Sequence, residues 1–273
     1  LVEILLDPRH FLALKLGEEG SAIRWRIEAE KRLLLLQSDA RQSAMANLSM
    51  IETQLKRFDT SQQWLLQVHD GLLRVPAELK LIEAMAKDGR GLEAEVLAQT
   101  IDLPRYRVLA HVRLALAEFS LGRHKEAGRQ LRIAGTLVQT IDLPFARAYG
   151  ESQIALGWLQ LGDNRVAEAQ AMAIEDEAIK AQTLWRLASQ APAERKTTLI
   201  LEAESATRSY ADPFGRVWMH AELARESKRM ADPGGAKDHL TRGIAIAETI
   251  KDSWSRSRAL AALAGALAEL LRP

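Results

Sequence analysis

The segment Gln99-Thr100-Ile101-Asp102-Leu103-Pro104 occurs a second time, unchanged over six positions, as Gln139-Thr140-Ile141-Asp142-Leu143-Pro144. The two copies are 40 residues apart, and apolar residues at helical spacing follow each copy. An internal repeat of this kind is typical of a chain built from repeated structural units. The same register should therefore recur elsewhere in the sequence.

An aspartate does recur in this register, and each copy precedes a helical pattern. It stands at Asp102, Asp142, Asp176, Asp212 and Asp252, at intervals of 40, 34, 36 and 40 residues. Intervals of this length are typical of repeats made of two helices. We expect each carboxylate to accept hydrogen bonds from the free N–H groups at the start of the next helix.

Small residues and glycines divide each unit into two helices. A bulky residue followed by alanine lies on the first helix of each unit, at Leu114-Ala115, Ile154-Ala155, Leu187-Ala188, Leu223-Ala224 and Leu263-Ala264. Gly122 and Gly162 follow the first helix in two units, where glycine can adopt the left-handed conformation that ends a helix. The second helix then carries the stripe Ala127, Leu131, Ala134, or Ala167, Ala171, Ile174. The pattern predicts one hairpin of antiparallel helices per unit.

These residues resemble the tetratricopeptide repeat (TPR) family. The residues that match are Leu114, Ala115, Gly122, Ala127, Leu131 and Ala134, then Ile154, Ala155, Trp158, Gly162 and Ala167, with Met85, Gly89 and Ala94 in an earlier degenerate unit. The resemblance implies an all-α, right-handed superhelix, or solenoid, of antiparallel helix pairs over about residues 78–271. The chain departs from the family at Glu118, where an aromatic is usual, and in a unit that is shortened around Ala191-Pro192-Ala193.

The sequence predicts two regions, an N-terminal helical region over residues 1–77 and a repeat array over residues 78–273. Apolar spacing predicts helices from about Ser21 to Gln37, from Asp39 to Phe58 and from Ser61 to Leu73. The first region is interpreted as a cap over the end of the array, with degenerate repeats or a dimerisation element as alternatives.

Composition narrows the classes of partner. The 37 basic and 36 acidic residues leave a formal charge of +1, which argues against nucleic acid as the partner. The chain lacks cysteine and any apolar run of the length that spans a membrane, so we expect a soluble protein without thiolate sites. The sequence does not determine the cellular compartment, although it slightly favours the cytoplasm. Because the chain begins at Leu1 rather than Met, the sequence indicates a trimmed or processed product.

Motifs for catalysis are missing from the sequence. The six histidines have no metal-ligand spacing, and there is no glycine-rich phosphate loop or nucleophile elbow. We expect neither enzymatic activity nor a cofactor or metal. Basic residues recur shortly after the repeat aspartate. We interpret these side chains as solvated or as ion-paired with a neighbouring repeat, and the alternative is that they bind an acidic peptide or phosphate groups. They are Arg105, Arg107, Arg147, Lys180, Arg216, Arg256 and Arg258.

The concave face is the predicted binding site, since first helices line the inner curve of such arrays. In the TPR register its residues are Val112, Leu116, Phe119, Tyr149, Ser152, Leu156, Leu159, Trp185, Trp218, Arg225 and Lys228. Apolar anchors at one end and basic residues at the other would suit a peptide or protein segment. The predicted function is a protein-binding scaffold or adaptor. The alternatives are the helical part of a larger enzyme or secretion or assembly complex, a homo-oligomer and, less favoured, a reader of single-stranded RNA.

Overall fold

The chain, in a computed structural model, is all-helical over the part that is described, which comprises residues 38–271 and positions 27, 31, 33 and 36. These residues form helices and connecting turns and include no strand. The all-α prediction is therefore confirmed for them. The helix expected from Ser21 to Gln37 falls largely outside the described residues.

Thirteen helices occupy the described part of the chain, and most of them alternate as the first and second helix of a hairpin. The first six are α1 (Ser38–Gln54), α2 (Phe58–Leu65), α3 (Gly71–Lys87), α4 (Gly91–Gln99), α5 (Pro104–Ser120) and α6 (His124–Val138). The others are α7 (Pro144–Gln160), α8 (Asn164–Met172), α9 (Glu177–Gln190), α10 (Ala193–Ser209), α11 (Pro213–Arg229), α12 (Pro233–Thr249) and α13 (Ser253–Leu270).

The chain divides into two compact units, residues 1–137 and residues 138–273, and hairpins stack in the same manner within each. In unit 1, α1 packs on α2 and α3, and α3 packs on α4 and α5. In unit 2, each of α7, α9 and α11 packs on the second helix of its own pair and on the first helix of the next. Helix α3 runs across the predicted boundary between residues 77 and 78, and the assignment of domain roles stays a prediction.

Five hairpin turns share one hydrogen-bonding geometry. A left-handed residue, with φ between 54° and 89°, ends the first helix at Lys56, Gly89, Gly122, Gly162 and Ala231. The N–H of the following residue then donates to the carbonyl five residues earlier, at 2.8–3.0 Å. This is the Schellman arrangement, which satisfies carbonyls left free at a helix end. The predicted roles of Gly122 and Gly162 are confirmed, whereas the non-glycine positions carried no signal in the sequence.

The hairpin between α9 and α10 is built differently. Only Ala191 and Pro192 separate the two helices, and Ala191 is extended, with ψ at 148°. Helix α9 has 14 residues, whereas α7 and α11 have 17. The predicted shortening of this unit is confirmed.

The predicted capping of helix starts by the recurring aspartate is confirmed at three of the five positions. Asp176, Asp212 and Asp252 each accept a backbone N–H within the first turn, at 2.9, 2.7 and 2.6 Å. The same prediction is wrong for Asp102 and Asp142, because there the helix begins after Leu103 or Leu143, which occupies the capping position without a side-chain acceptor. Both of these helices start with proline, whose fixed φ and missing N–H reduce the need for a cap.

An arginine holds each copy of the duplicated segment in place. Ile101 and Ile141 are buried in the connection before α5 and α7. Their carbonyl oxygens accept hydrogen bonds from the Nε of Arg107, at 3.0 Å, and of Arg147, at 2.9 Å. These two members of the basic series are partly exposed, and each satisfies a backbone acceptor that has no helix partner.

The paired bulky and small residues face the hairpin interior as expected in four of five cases. Both members are buried at positions 114–115, 154–155, 187–188 and 223–224. Ala264 is exposed instead, because no second helix follows α13 within the described residues. Near the start, the helix predicted to reach Phe58 ends at Gln54. The stretch predicted from Ser61 to Leu73 is interrupted before Asp70, which caps α3 by accepting the N–H of Leu72 at 2.8 Å.

Candidate functional site

The first helices of unit 2 present a continuous face of partly exposed side chains. Helices α7, α9 and α11 lie side by side, and residues one or two turns apart on each point the same way. The residues are Phe145, Tyr149 and Leu156 on α7, Gln182, Arg186 and Ser189 on α9, and Trp218, Glu222 and Arg229 on α11. We call this surface the first-helix face of unit 2.

A depression of about 370 Å³ lies at the N-terminal end of this face, and we call it the aromatic groove. Three aromatic side chains at its rim are strongly exposed, Phe145 by 69%, Tyr149 by 46% and Trp218 by 39%. Its floor is apolar and well packed, because Ile179, Ala181 and Met219 are buried. The other lining residues are Ala178, Gln182, Tyr210, Gly215, Glu222 and Leu223.

Glycine shapes one wall of the aromatic groove. A Cβ atom at Gly215 would lie 2.2 Å from Cε1 of Tyr210, so the tyrosine ring can occupy this wall only because position 215 has no side chain. Polar groups stand around the apolar floor, in the phenols of Tyr149 and Tyr210, the amide of Gln182 and the carboxylate of Glu222. The groove can therefore take a bulky apolar side chain and offer hydrogen bonds to the backbone that carries it.

A second depression, of about 270 Å³, lies at the C-terminal end of the same face and is more polar. Glu226 is buried there, and its carboxylate is 3.6 Å from Nε of Arg186 and forms an ion pair with Arg229. The carboxylate holds both guanidinium groups near the surface. We call this depression the polar cleft.

The structure brings two of the predicted binding residues together. Tyr149 and Trp218 both line the aromatic groove, and Leu156 lines the polar cleft. Phe145 is the residue that the sequence analysis missed. It stands four residues before Tyr149 on the same helix face, and this spacing was the available signal.

Other predicted residues of unit 2 lie in the interior. Trp185 is 2% exposed and packs edge-on against the ring of His239, at 5.0 Å between centroids. Ser152 is buried and accepts a hydrogen bond from the hydroxyl of Thr183 at 2.7 Å. Leu159 is also buried, at the edge of the polar cleft. Helix α9 contributes Gln182 and Arg186 to the exposed face in place of its tryptophan.

The two basic residues predicted at one end of the site, Arg225 and Lys228, bind to Glu269 on α13. Nε of Arg225 lies 2.9 Å from a carboxylate oxygen of Glu269, and its Nη1 lies 2.5 Å from Glu222. Nζ of Lys228 donates to the backbone carbonyl of Glu269 at 2.8 Å. These two cations therefore join α11 to the last described helix.

The predicted residues of unit 1 lie on α5. Val112 is buried, and Leu116 and Phe119 are partly buried. The ring of Phe119 packs edge-on against His124, with 4.9 Å between centroids. Their role in binding stays a prediction.

No group of three or more His, Asp or Glu side chains within the described residues could hold a metal ion. In the same part of the chain no helix has the length and apolar character needed to cross a bilayer.

No protein-family model and no curated protein matches the chain. Among solved structures, the chain is similar to the crystal structure of BtubC (BKLC) from P. vanneervenii. The identity is 19%, the match covers 77% of this chain and 91% of that chain, and the TM-score is 0.38.

Proposed function

We propose that this chain is a TPR-like protein without catalytic activity that serves as a scaffold or adaptor. It binds a peptide or protein segment on the first-helix face of unit 2. The observation that supports the proposal is the aromatic groove, where three exposed aromatic side chains surround an apolar depression. Exposed apolar surface of this kind is typical of interaction sites.

The chemistry of the face suggests the kind of segment that it binds. Aromatic side chains at a rim over a packed floor act as rigid anchors, because they bury a large area with little loss of conformational freedom. A leucine, phenylalanine or tryptophan of the ligand would enter the aromatic groove. The remainder of the segment would run along α9 towards the polar cleft, where Arg186 and Arg229 can contact acidic or amide side chains.

A peptide-display selection tests the proposal. Random peptides are selected on the purified chain, and the affinity of an enriched synthetic peptide is then measured for the chain and for the double variant Tyr149→Ala, Trp218→Ala. We expect the variant to bind at least about tenfold more weakly, because loss of anchor residues typically costs more than 1 kcal/mol. Trp254→Ala is the matched control, since Trp254 is 64% exposed but lies on α13, outside the groove.

Two results would contradict the proposal. The first is a set of enriched peptides that share no apolar residue. The second is equal binding of these peptides by the wild type, the double variant and the control, with the same helical circular dichroism for all three proteins. Turnover of a substrate by the purified chain alone would contradict the non-catalytic part.

A further inference from the structure

A third cavity of unit 2, which shares only Leu223 with the lining of the aromatic groove, combines buried histidines with several arginines. It measures about 300 Å³ and lies between α10, α11 and α12. We call it the histidine cavity, because His220 and His239 meet in its wall with their Nδ1 atoms 3.2 Å apart. A volume of this size is at the lower end of the range for small-molecule sites, and it holds on the order of ten water-sized groups.

The charges on the cavity wall do not balance. The carboxylate of Glu204 lies 3.6 Å from Arg208 and 3.9 Å from Arg242, and Arg242 also pairs with Asp238 at 2.7 Å. Two carboxylates therefore face these two guanidinium groups. The third arginine of the wall, Arg216, has no carboxylate within ion-pair distance among the described residues, so the cavity carries an excess positive charge.

Arg216 also differs from its counterparts in the repeat. It is the fourth residue of α11, as Arg107 is of α5 and Arg147 of α7. Those two side chains donate Nε to a backbone carbonyl of the preceding connection. Nε of Arg216 is shielded from solvent, and no acceptor lies within hydrogen-bonding distance among the described residues. Arg216 is partly exposed, but a buried N–H donor without an acceptor is costly, and an anion in the cavity would remove that cost.

The two histidines can act as uncharged hydrogen-bonding groups in the cavity wall. Because the two Nδ1 atoms share one hydrogen bond, one ring donates and the other accepts there. The ring that accepts through Nδ1 must carry its hydrogen on Nε2, so the pair retains one N–H donor. Burial lowers the pKa of His220 to about 4, and the neighbouring His239, Arg242 and Arg216 act in the same direction, so this ring is neutral at pH 7.

We propose that the histidine cavity binds a small organic monocarboxylate whose carboxylate pairs with Arg216 and whose apolar body lies against Leu223, Ala245 and Ile246. The apolar part of the wall favours such a ligand over a compact inorganic dianion, whose whole surface needs polar contacts. The three guanidinium groups disfavour a metal cation at the two imidazoles. The proposal does not rest on peptide binding in the aromatic groove.

Titration of the intact chain with benzoate at pH 7 tests this proposal, with benzyl alcohol as the neutral analogue and inorganic phosphate as the compact anion. We expect benzoate to raise the melting temperature and to shift the imidazole NMR signals of His220 and His239. A ligand that binds only the folded state stabilises it by mass action. The alcohol and phosphate should have much smaller effects at equal concentration.

The variant Arg216→Leu should bind benzoate at least about tenfold more weakly, because a charge-assisted hydrogen bond is lost. Its melting temperature without ligand should equal or exceed that of the wild type, since the replaced side chain has no hydrogen-bond acceptor for its buried nitrogen. Arg256→Leu is the matched control, because Arg256 has the same position on α13 and is exposed. It should bind benzoate as the wild type does.

The proposal is overturned if benzoate up to about 10 mM gives neither a thermal shift nor a histidine signal change in the wild type. It is equally overturned if Arg216→Leu retains wild-type affinity, or if phosphate binds as tightly as benzoate. The wild-type NMR titration decides the question even if the variant fails to fold.

Discussion

Lowering the pH from 7 to 5 should destabilise unit 2 through His220. This side chain is 5% exposed, and its ring contacts His239 rather than solvent. Burial lowers its pKa from 6.5 to about 4, and the positive charges of Arg242 and Arg216 act in the same direction. His220 therefore binds a proton more weakly in the folded protein than in the unfolded chain.

The sign and size of the effect follow from the two pKa values. Between pH 6.5 and 4 the unfolded state binds more protons than the folded state, so the free energy of unfolding falls as the pH falls. The full difference corresponds to about 3 kcal/mol, of which about 2 kcal/mol is lost between pH 7 and pH 5. Above pH 6.5 the contribution of His220 should be nearly constant. The pKa of His239 is also lowered by burial, so this residue adds a loss of the same sign.

Urea unfolding at several pH values, with the variant His220→Gln beside the wild type, isolates the contribution of this residue. Glutamine keeps a hydrogen-bonding group beside His239 but does not titrate. Between pH 7 and 5 the wild type should lose about 2 kcal/mol more than the variant. His69→Gln is the control, because His69 is exposed, and it should follow the wild-type profile. Parallel profiles for His220→Gln and wild type, or an NMR titration midpoint of His220 near 6.5, would refute the reasoning.

Two further predictions concern the turns and the connections. Gly122→Ala should lower the free energy of unfolding by about 1 kcal/mol, because φ is 75° at this position; the new methyl group itself meets no atom within 4 Å. Ala231→Gly should raise the free energy of unfolding by a similar amount, because Ala231 has a φ of 54°. Equal and opposite shifts in urea midpoints would support this, and a destabilised Ala231→Gly would contradict it. Arg147→Leu should cost about 1–3 kcal/mol by leaving the carbonyl of Ile141 without its side-chain donor. Thermal unfolding beside the exposed control Arg132→Leu measures that cost, and equal melting temperatures would count against it.

The repeat register could be read from the sequence because its signals are local. Glycine at positions 122 and 162 predicts a left-handed backbone conformation, since other residues adopt that conformation only at a cost in free energy. Lys56 and Ala231 adopt the same conformation without any compositional signal, so the turns that they make could not be predicted.

The candidate site was predictable only in part, because exposure depends on helix rotation. Tyr149 and Trp218 are exposed on the first helices, and their role in binding stays a prediction. Trp185, which the pattern treats as their equivalent, is turned into the core towards His239. Helix α9 is shorter than α7 and α11 and is followed by a different turn, and the register carried over from those helices does not hold at this position.

The basic series shows a second limit of sequence reasoning. Arg107, Arg147 and Arg216 are equivalent in register, yet the first two bind a connection carbonyl and the third does not. The difference depends on the backbone path before each helix, which residue types alone do not specify. The histidine cavity could not be predicted for the same reason, since His220 and His239 come from different helices.

The shared geometry of the five turns has a consequence for how such a chain can change in length. The segments Leu161-Gly162-Asp163 and Met230-Ala231-Asp232 place a left-handed residue and a capping aspartate at the same points of their hairpins. A segment bounded by two such turns begins with the second helix of one hairpin and ends with the first helix of a later one. Segments of this kind could be exchanged, duplicated or deleted without a new connector. Chimaeras that swap the two tripeptides should therefore fold as the parent does.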